Sequence, residues 1–119
     1  MNTRLYRLLT QLLSRPTAPF REQQVINYAQ SVLQRARIPH FSDPARNLVI
    51  GCASPAAYRA LLRKPSSEPV RLFIAHMDHP GFHGVRWLTS RRLLVKWHGG
   101  SPVKHLRGSR VWLANDHGV

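Results

Sequence analysis

Acidic residues are what this 119-residue chain most lacks. Glu22, Asp43, Glu68, Asp78 and Asp116 stand against 18 Lys and Arg, giving a net charge of +13. Carboxylates supply most general bases and many metal ligands, so an enzyme built from this chain alone has little to work with. Cysteine is nearly absent too. Cys52 stands alone, which excludes an intrachain disulfide and a Cys-based zinc site. A lone thiol fits a reducing compartment, and a cytoplasmic location is the expectation. The apolar runs fall far short of a membrane span, so no membrane partner is expected. Gly99-Gly100-Ser101 is not followed by Gly-Lys-Ser/Thr and is no phosphate loop. There is no Gly-x-Ser-x-Gly nucleophile elbow, no internal repeat and no low-complexity tract.

What is present is a chain whose apolar content lies just below the ordinary globular range. Hydrophobic residues make up 43%, enough to exclude disorder throughout. The cationic excess raises affinity for any polyanion, so nonspecific electrostatic binding to nucleic acid is expected. The first 21 residues carry Arg4, Arg7, Arg15 and Arg21 but no acid, a pattern shared with transit peptides. A basic amphipathic helix accounts for them more simply.

Leu5, Leu8, Leu9, Leu12 and Leu13 recur at helical spacing and predict a first helix, ended by Arg15-Pro16. Thr17 is a candidate N-cap for a second helix, with Pro19 in its first turn and Glu22 near its positive end. Val25, Ile26, Ala29, Val32, Leu33 and Ala36 form its apolar stripe. Residues 47–51 (NLVIG) predict a short buried strand. From Cys52 to Pro69 the prolines, serines and a short helix around Ala56 to Leu62 predict a surface insertion. Val70 to Ala75 (VRLFIA) predicts the next strand. After Asp78, residues 82–88, 91–97 and 110–113 read as short strands separated by turn-like stretches. The front of the chain is thus helix, helix, strand, strand, and the last third is all β, with a domain boundary near residue 79. The last β segment lacks a closing partner, so the chain is expected to continue beyond Val119.

The stretch that carries chemistry is Ala75-His76-Met77-Asp78-His79-Pro80-Gly81-Phe82. A β run ending in His-x-Asp places an imidazole off the carboxyl end of a strand, where open α/β sheets bind ligands. The carboxylate two residues on shares a side with it and can steady the ring. A histidine satisfied by a local hydrogen bond explains the tripeptide equally well. His76, His79 and His83 would share one face of a helix, but Pro80, Gly81 and Gly84 argue against a helix there. His98 and His105 flank a turn and read as surface residues.

The order of these features resembles the tetrahedral, or glutamyl-type, aminopeptidases among the co-catalytic zinc exopeptidases. In that family a helix, a Pro/Ser/Gly turn with a nearby glutamate and a second helix come first, here residues 5–13, 14–19, Glu22 and 25–37. An Asp and a Gly-Asn-Leu strand follow, here Asp43 and Arg46-Asn47-Leu48-Val49. The strand ending in Ala-His-Met-Asp-Glu-x-Gly-Phe is Ala75 to Phe82 here. A Gly-Gly turn and a Leu-x-Gly-x-x-Val strand correspond to Gly99-Gly100 and Leu106 to Val111. The chain departs from the pattern at Arg46, where the family has glycine, and at His79, where it has glutamate.

The resemblance implies an α/β fold. Residues 1–79 would form the N-terminal part of a zinc-exopeptidase-like catalytic domain, and 80–119 the start of an inserted β-rich domain. It implies His76 as a metal ligand and Asp78 as the catalytic-site carboxylate that orients it. It also implies two divalent ions (zinc, or another such as cobalt), a peptide substrate cleaved at its N-terminal bond, and homo-oligomers of the complete enzyme. The bridging aspartate, the general-base glutamate and the other ligands belong to a later part of that family's sequence. The expectation is therefore the N-terminal portion of a metal-dependent aminopeptidase, inactive as this isolated chain. The alternatives are a basic nucleic-acid-binding module, with Trp87, Trp97 and Trp112 among its cations, or a non-catalytic interaction domain derived from the peptidase fold. The peptidase reading relies on a strand that ends at His76.

Overall fold

The computed structural model describes residues 2–63 and 68–115. Pro65, Ser66 and Ser67 of the expected insertion lie outside the described residues, as do residues 116–119 at the chain's end. The chain contains both helices and small antiparallel sheets, a mixed α/β composition. It divides into two compact units, one of residues Met1–Val25 with Met77–Val119, the other of Ile26–His76.

In the first unit, α1 (Thr3–Leu13) forms where the leucine spacing predicts it. The Asn2 side chain accepts a hydrogen bond from the Arg4 N–H at 2.9 Å, satisfying one open donor of the first turn. No α1 residue is buried, and Leu5, Leu9 and Leu13 stay largely exposed, so its apolar stripe is uncovered. Thr17 does not cap the second helix. Its hydroxyl donates instead to the Met77 carbonyl at 3.2 Å. Pro19 is followed by Phe20 at φ 68°, a left-handed residue that no helical first turn accepts. The Glu22 carboxylate accepts the Phe20 N–H at 2.7 Å and holds that turn.

The hairpin of β1 (Gly81–Thr89) and β2 (Arg92–His98) dominates the rest of this unit. Ser90 and Arg91 make its turn, and the Thr89 hydroxyl accepts the Arg91 N–H at 3.2 Å. Directly opposed residues share a face. Gly81↔His98, His83↔Lys96, Arg86↔Leu94 and Thr89↔Arg92 therefore lie on one face, and Phe82↔Trp97, Gly84↔Val95 and Trp87↔Leu93 on the other. Register shifts between Gly84 and Arg86 and between Trp87 and Thr89 maintain this sorting. Strict alternation would have put Arg86 among the apolar residues and Trp87 among the cations. On the apolar face the Phe82 and Trp97 rings lie 4.9 Å apart at 55°. The expected strand at residues 110–113 is not formed. A 3-10 turn at Val103–His105 precedes it, and 110–114 is irregular, because a strand needs a ladder partner that β-rich composition does not supply.

The second unit carries most of α2 (Gln23–Arg35) and its end. Val25, Ile26 and Leu33 of the predicted stripe are buried. The helix stops through backbone geometry. Arg37 adopts φ 55°, its N–H donates to the Gln34 carbonyl at 3.0 Å, and the Ile38 N–H donates to the Leu33 carbonyl at 2.9 Å. This is a Schellman ending with arginine where glycine is usual. A hairpin follows, β3 (His40–Ser42) against β4 (Leu48–Ile50), pairing Phe41 with Val49. Then α3 (Pro55–Arg63) starts at a proline in its first position, with the Ser54 hydroxyl accepting the Ala57 N–H at 3.1 Å. The strand expected over Val70 to Ala75 is absent. Residues 71–79 have no ladder partner, and Phe73 and Ile74 are 91% and 87% exposed.

Candidate functional site

His76 lies within that irregular stretch, and its side chain is exposed. It does not sit at the tip of a paired strand, because none of the described strands runs beside residues 70–75. Asp78 is half-buried, and the carbonyl of the preceding Met77 is held by Thr17. The division between the two units falls between His76 and Met77. His79 is exposed at the start of the turn that leads into β1.

A metal centre demands three or four converging ligands. Among the described residues no group of three or more His, Cys, Asp or Glu side chains is placed to hold an ion. His76 and Asp78 thus provide at most one imidazole and one carboxylate, which is less than a two-ion site requires. No metal-dependent step follows from these side chains alone. Cys52 is a half-buried free thiol.

The histidines that the structure does bring together are His83 and His98. Their rings stack with centroids 4.0 Å apart and planes 30° apart. The His83 Nε2–H donates to the Pro19 carbonyl at 2.8 Å, and the Phe20 ring meets His98 edge-on at 6.2 Å. The His98 imidazole is held below its usual pKa, first by desolvation and then by the neighbouring His83 and Lys96. Sequence reading placed His98 on the surface beside a turn. The signal that finds the pair is the hairpin register: His83 opposes Lys96, and His98 lies two residues on along the same face.

The cations form the other feature. Arg86, Arg91, Arg92 and Lys96 are all exposed on the β1–β2 hairpin. Trp87 and Trp97 do not interleave with them on one surface. Trp87 and Trp97 lie on the opposite face, and Trp97 is half-buried. Among the described residues no helix is long and apolar enough to cross a membrane. In comparisons with protein-family models, curated proteins and solved structures, the chain matched none of them.

Proposed function

We propose that this chain is the N-terminal portion of a metal-dependent aminopeptidase of the tetrahedral, glutamyl-type class, with His76 as one metal ligand and Asp78 as the carboxylate that orients it. The observation that carries the reading is position 46. The resemblance expects glycine there, and Arg46 adopts φ 68°, a conformation natural to glycine and strained for arginine. Arg46 is itself one of the aligned residues, and its left-handed angle is one that the family's glycine would suit; Phe20 and Arg37 share such an angle. Gly81 adds to it. A Cβ there would lie 2.8 Å from the Ala18 Cβ, so any side chain at this glycine of the motif would force its neighbours to shift. Against the reading stands the strand expected to end at His76: residues 70–75 form none, and Leu72, Phe73 and Ile74 are exposed without a ladder partner.

Zinc or cobalt, when bound, would supply Lewis acidity and water activation. This chain's part is narrower: to present one imidazole and hold its orientation with a carboxylate. Two ions, the general base and the substrate pocket fall to residues other than those described. The isolated chain is expected to show no peptidase activity.

The test is residue-specific. Imidazole ¹⁵N resonances are followed while Zn²⁺ or Co²⁺ is added to the chain. The reading expects the His76 ring to respond first and Asp78→Asn to weaken that response. If other histidines shift at saturating metal while His76 does not, the assignment of His76 as a ligand is wrong. Peptide turnover by the 119-residue chain that disappears in His76→Ala would overturn the reading as an inactive portion.

A further inference from the structure

The polar face of the β1–β2 hairpin is divided along its length. At one end it is covered: Ala18 lies against Gly81, and the Pro19 carbonyl takes the His83 N–H. Towards the turn it is open, and there Arg86, Arg92 and Lys96 project from one face. Arg86 opposes Leu94, so Arg92 and Lys96 are its two diagonal neighbours. Diagonal pairs across a sheet stand about 7–8 Å apart. That is within one Debye length at physiological salt, about 8 Å, so Arg86 is repelled by both Arg92 and Lys96. Arg91 in the turn adds a fourth. No acidic residue occurs between His79 and Asn115, so the segment has no carboxylate of its own to relieve the repulsion.

We propose that this face binds nucleic acid through its phosphates, without regard to base sequence. A strand of closely spaced negative charges removes the repulsion of Arg86 by Arg92 and Lys96 and releases its own counterions on contact. An anionic membrane fits less well. Of the paired exposed apolar residues of the hairpin, Trp87 and Val95 lie on the face opposite the cations, and Leu94 alone shares theirs. A bilayer takes apolar side chains and cations from the same side. The proposal is independent of His76 and of any metal.

Anisotropy of a fluorescein-labelled mixed-sequence oligonucleotide of about 20 residues, single-stranded and duplex, measures binding between roughly 50 and 200 mM salt. The triple variant Arg86→Gln/Arg92→Gln/Lys96→Gln removes the patch. Arg59→Gln/Arg63→Gln/Arg71→Gln removes the same charge from exposed positions in the other unit. The hairpin variant is expected to bind roughly tenfold or more weakly. It should also flatten the salt slope by about two for single strands, or about 0.7 per lost phosphate contact. The control is expected to change both far less. Circular dichroism establishes that each variant folds, and single Gln variants replace any triple that does not. Equal losses in the two triples would show general charge attraction and overturn the assignment of the face. Absence of binding at the lowest salt would overturn it too. So would tighter binding to vesicles of equal parts phosphatidylcholine and phosphatidylglycerol, again lost in the hairpin variant.

Discussion

His83 and His98 stack ring on ring, 4.0 Å between centroids, at the end of the hairpin face that the Pro19-Phe20 segment covers. Two imidazoles at that distance tolerate one another best when at least one is neutral. The groups around His98 are the His83 ring, the Lys96 ammonium and the Phe20 edge, and its pKa is lowered by desolvation first and by those two charged or chargeable neighbours second. A base with a depressed folded pKa contributes full stability above its unfolded pKa, near 6.5, and loses it as pH falls through the folded value. The urea midpoint is therefore expected to fall as pH drops from about 7 to 5. His98→Asn, which cannot titrate, should show a flatter fall. Parallel curves for the two proteins would remove His98 as the source.

Asp43 works in the opposite chemical direction. Its two carboxylate oxygens accept the Asn47 backbone N–H at 2.8 Å and the Asn47 side-chain amide at 2.9 Å, closing the β3–β4 loop. The Asn47 side chain, then its backbone N–H, holds the Asp43 pKa below the ordinary carboxylate value. A lowered acid pKa gives stability above the unfolded value, about 3.9, that is lost as pH falls through the folded one. Amide exchange in β3 and β4 should rise for Asp43→Ala at neutral pH, and wild type should approach the variant in strong acid. A variant indistinguishable from wild type at neutral pH would show that the clasp does not hold the loop.

Two of the three described non-glycine residues with left-handed backbone angles make a third prediction. Arg37 and Arg46 sit at φ 55° and 68°. Glycine relieves the strain at the expense of greater freedom in the unfolded chain, whereas alanine keeps the strain. Arg46→Gly is expected to be more stable than Arg46→Ala by about 1 kcal/mol, and likewise at Arg37. Both replacements delete the same charge, so the comparison isolates the backbone. Equal denaturation midpoints for the Gly and Ala variants would show that neither angle is held in solution.

These residues also explain what could be read in advance. The apolar spacing in 5–13 and 25–33 located α1 and α2, and strand-like runs on either side of a turn-like Thr-Ser pair located β1 and β2, because those patterns are local. Thr17 misled because its hydroxyl bonds Met77, sixty residues away. Val70 to Ala75 and 110–113 misled for another reason: strand propensity describes a surface that suits a sheet, and pairing decides whether one forms. The His40–Ser42 strand escaped notice since its partner, not its composition, makes it one. For the candidate site, local pattern offered His76 and Asp78 as candidates, and the described residues bring no third metal-capable side chain to them. The stacked pair His83–His98 came only with the hairpin register, which no spacing along the chain reveals.

The contact between Ala18 and Gly81 gives the last prediction. Ala18 is one of the few buried apolar residues described, and a Cβ built on Gly81 would stand 2.8 Å from its Cβ and 3.4 Å from its Cα. The nearest atom belongs to a methyl fixed on the backbone, so it cannot swing away as a longer side chain would. Gly81→Ala must push the 17–20 segment off the hairpin, at a cost of about 1–3 kcal/mol. Removing the opposing methyl should relieve the clash, so Ala18→Gly/Gly81→Ala is expected to recover part of the loss despite the extra flexibility of glycine. In a double-mutant cycle the two changes then couple favourably, by about 1 kcal/mol or more. The same displacement draws the Pro19 carbonyl from His83, so the His83 ring resonances report it separately from the denaturation midpoint. Strictly additive effects, with the His83 signals unmoved in Gly81→Ala, would show that the two backbones do not meet there.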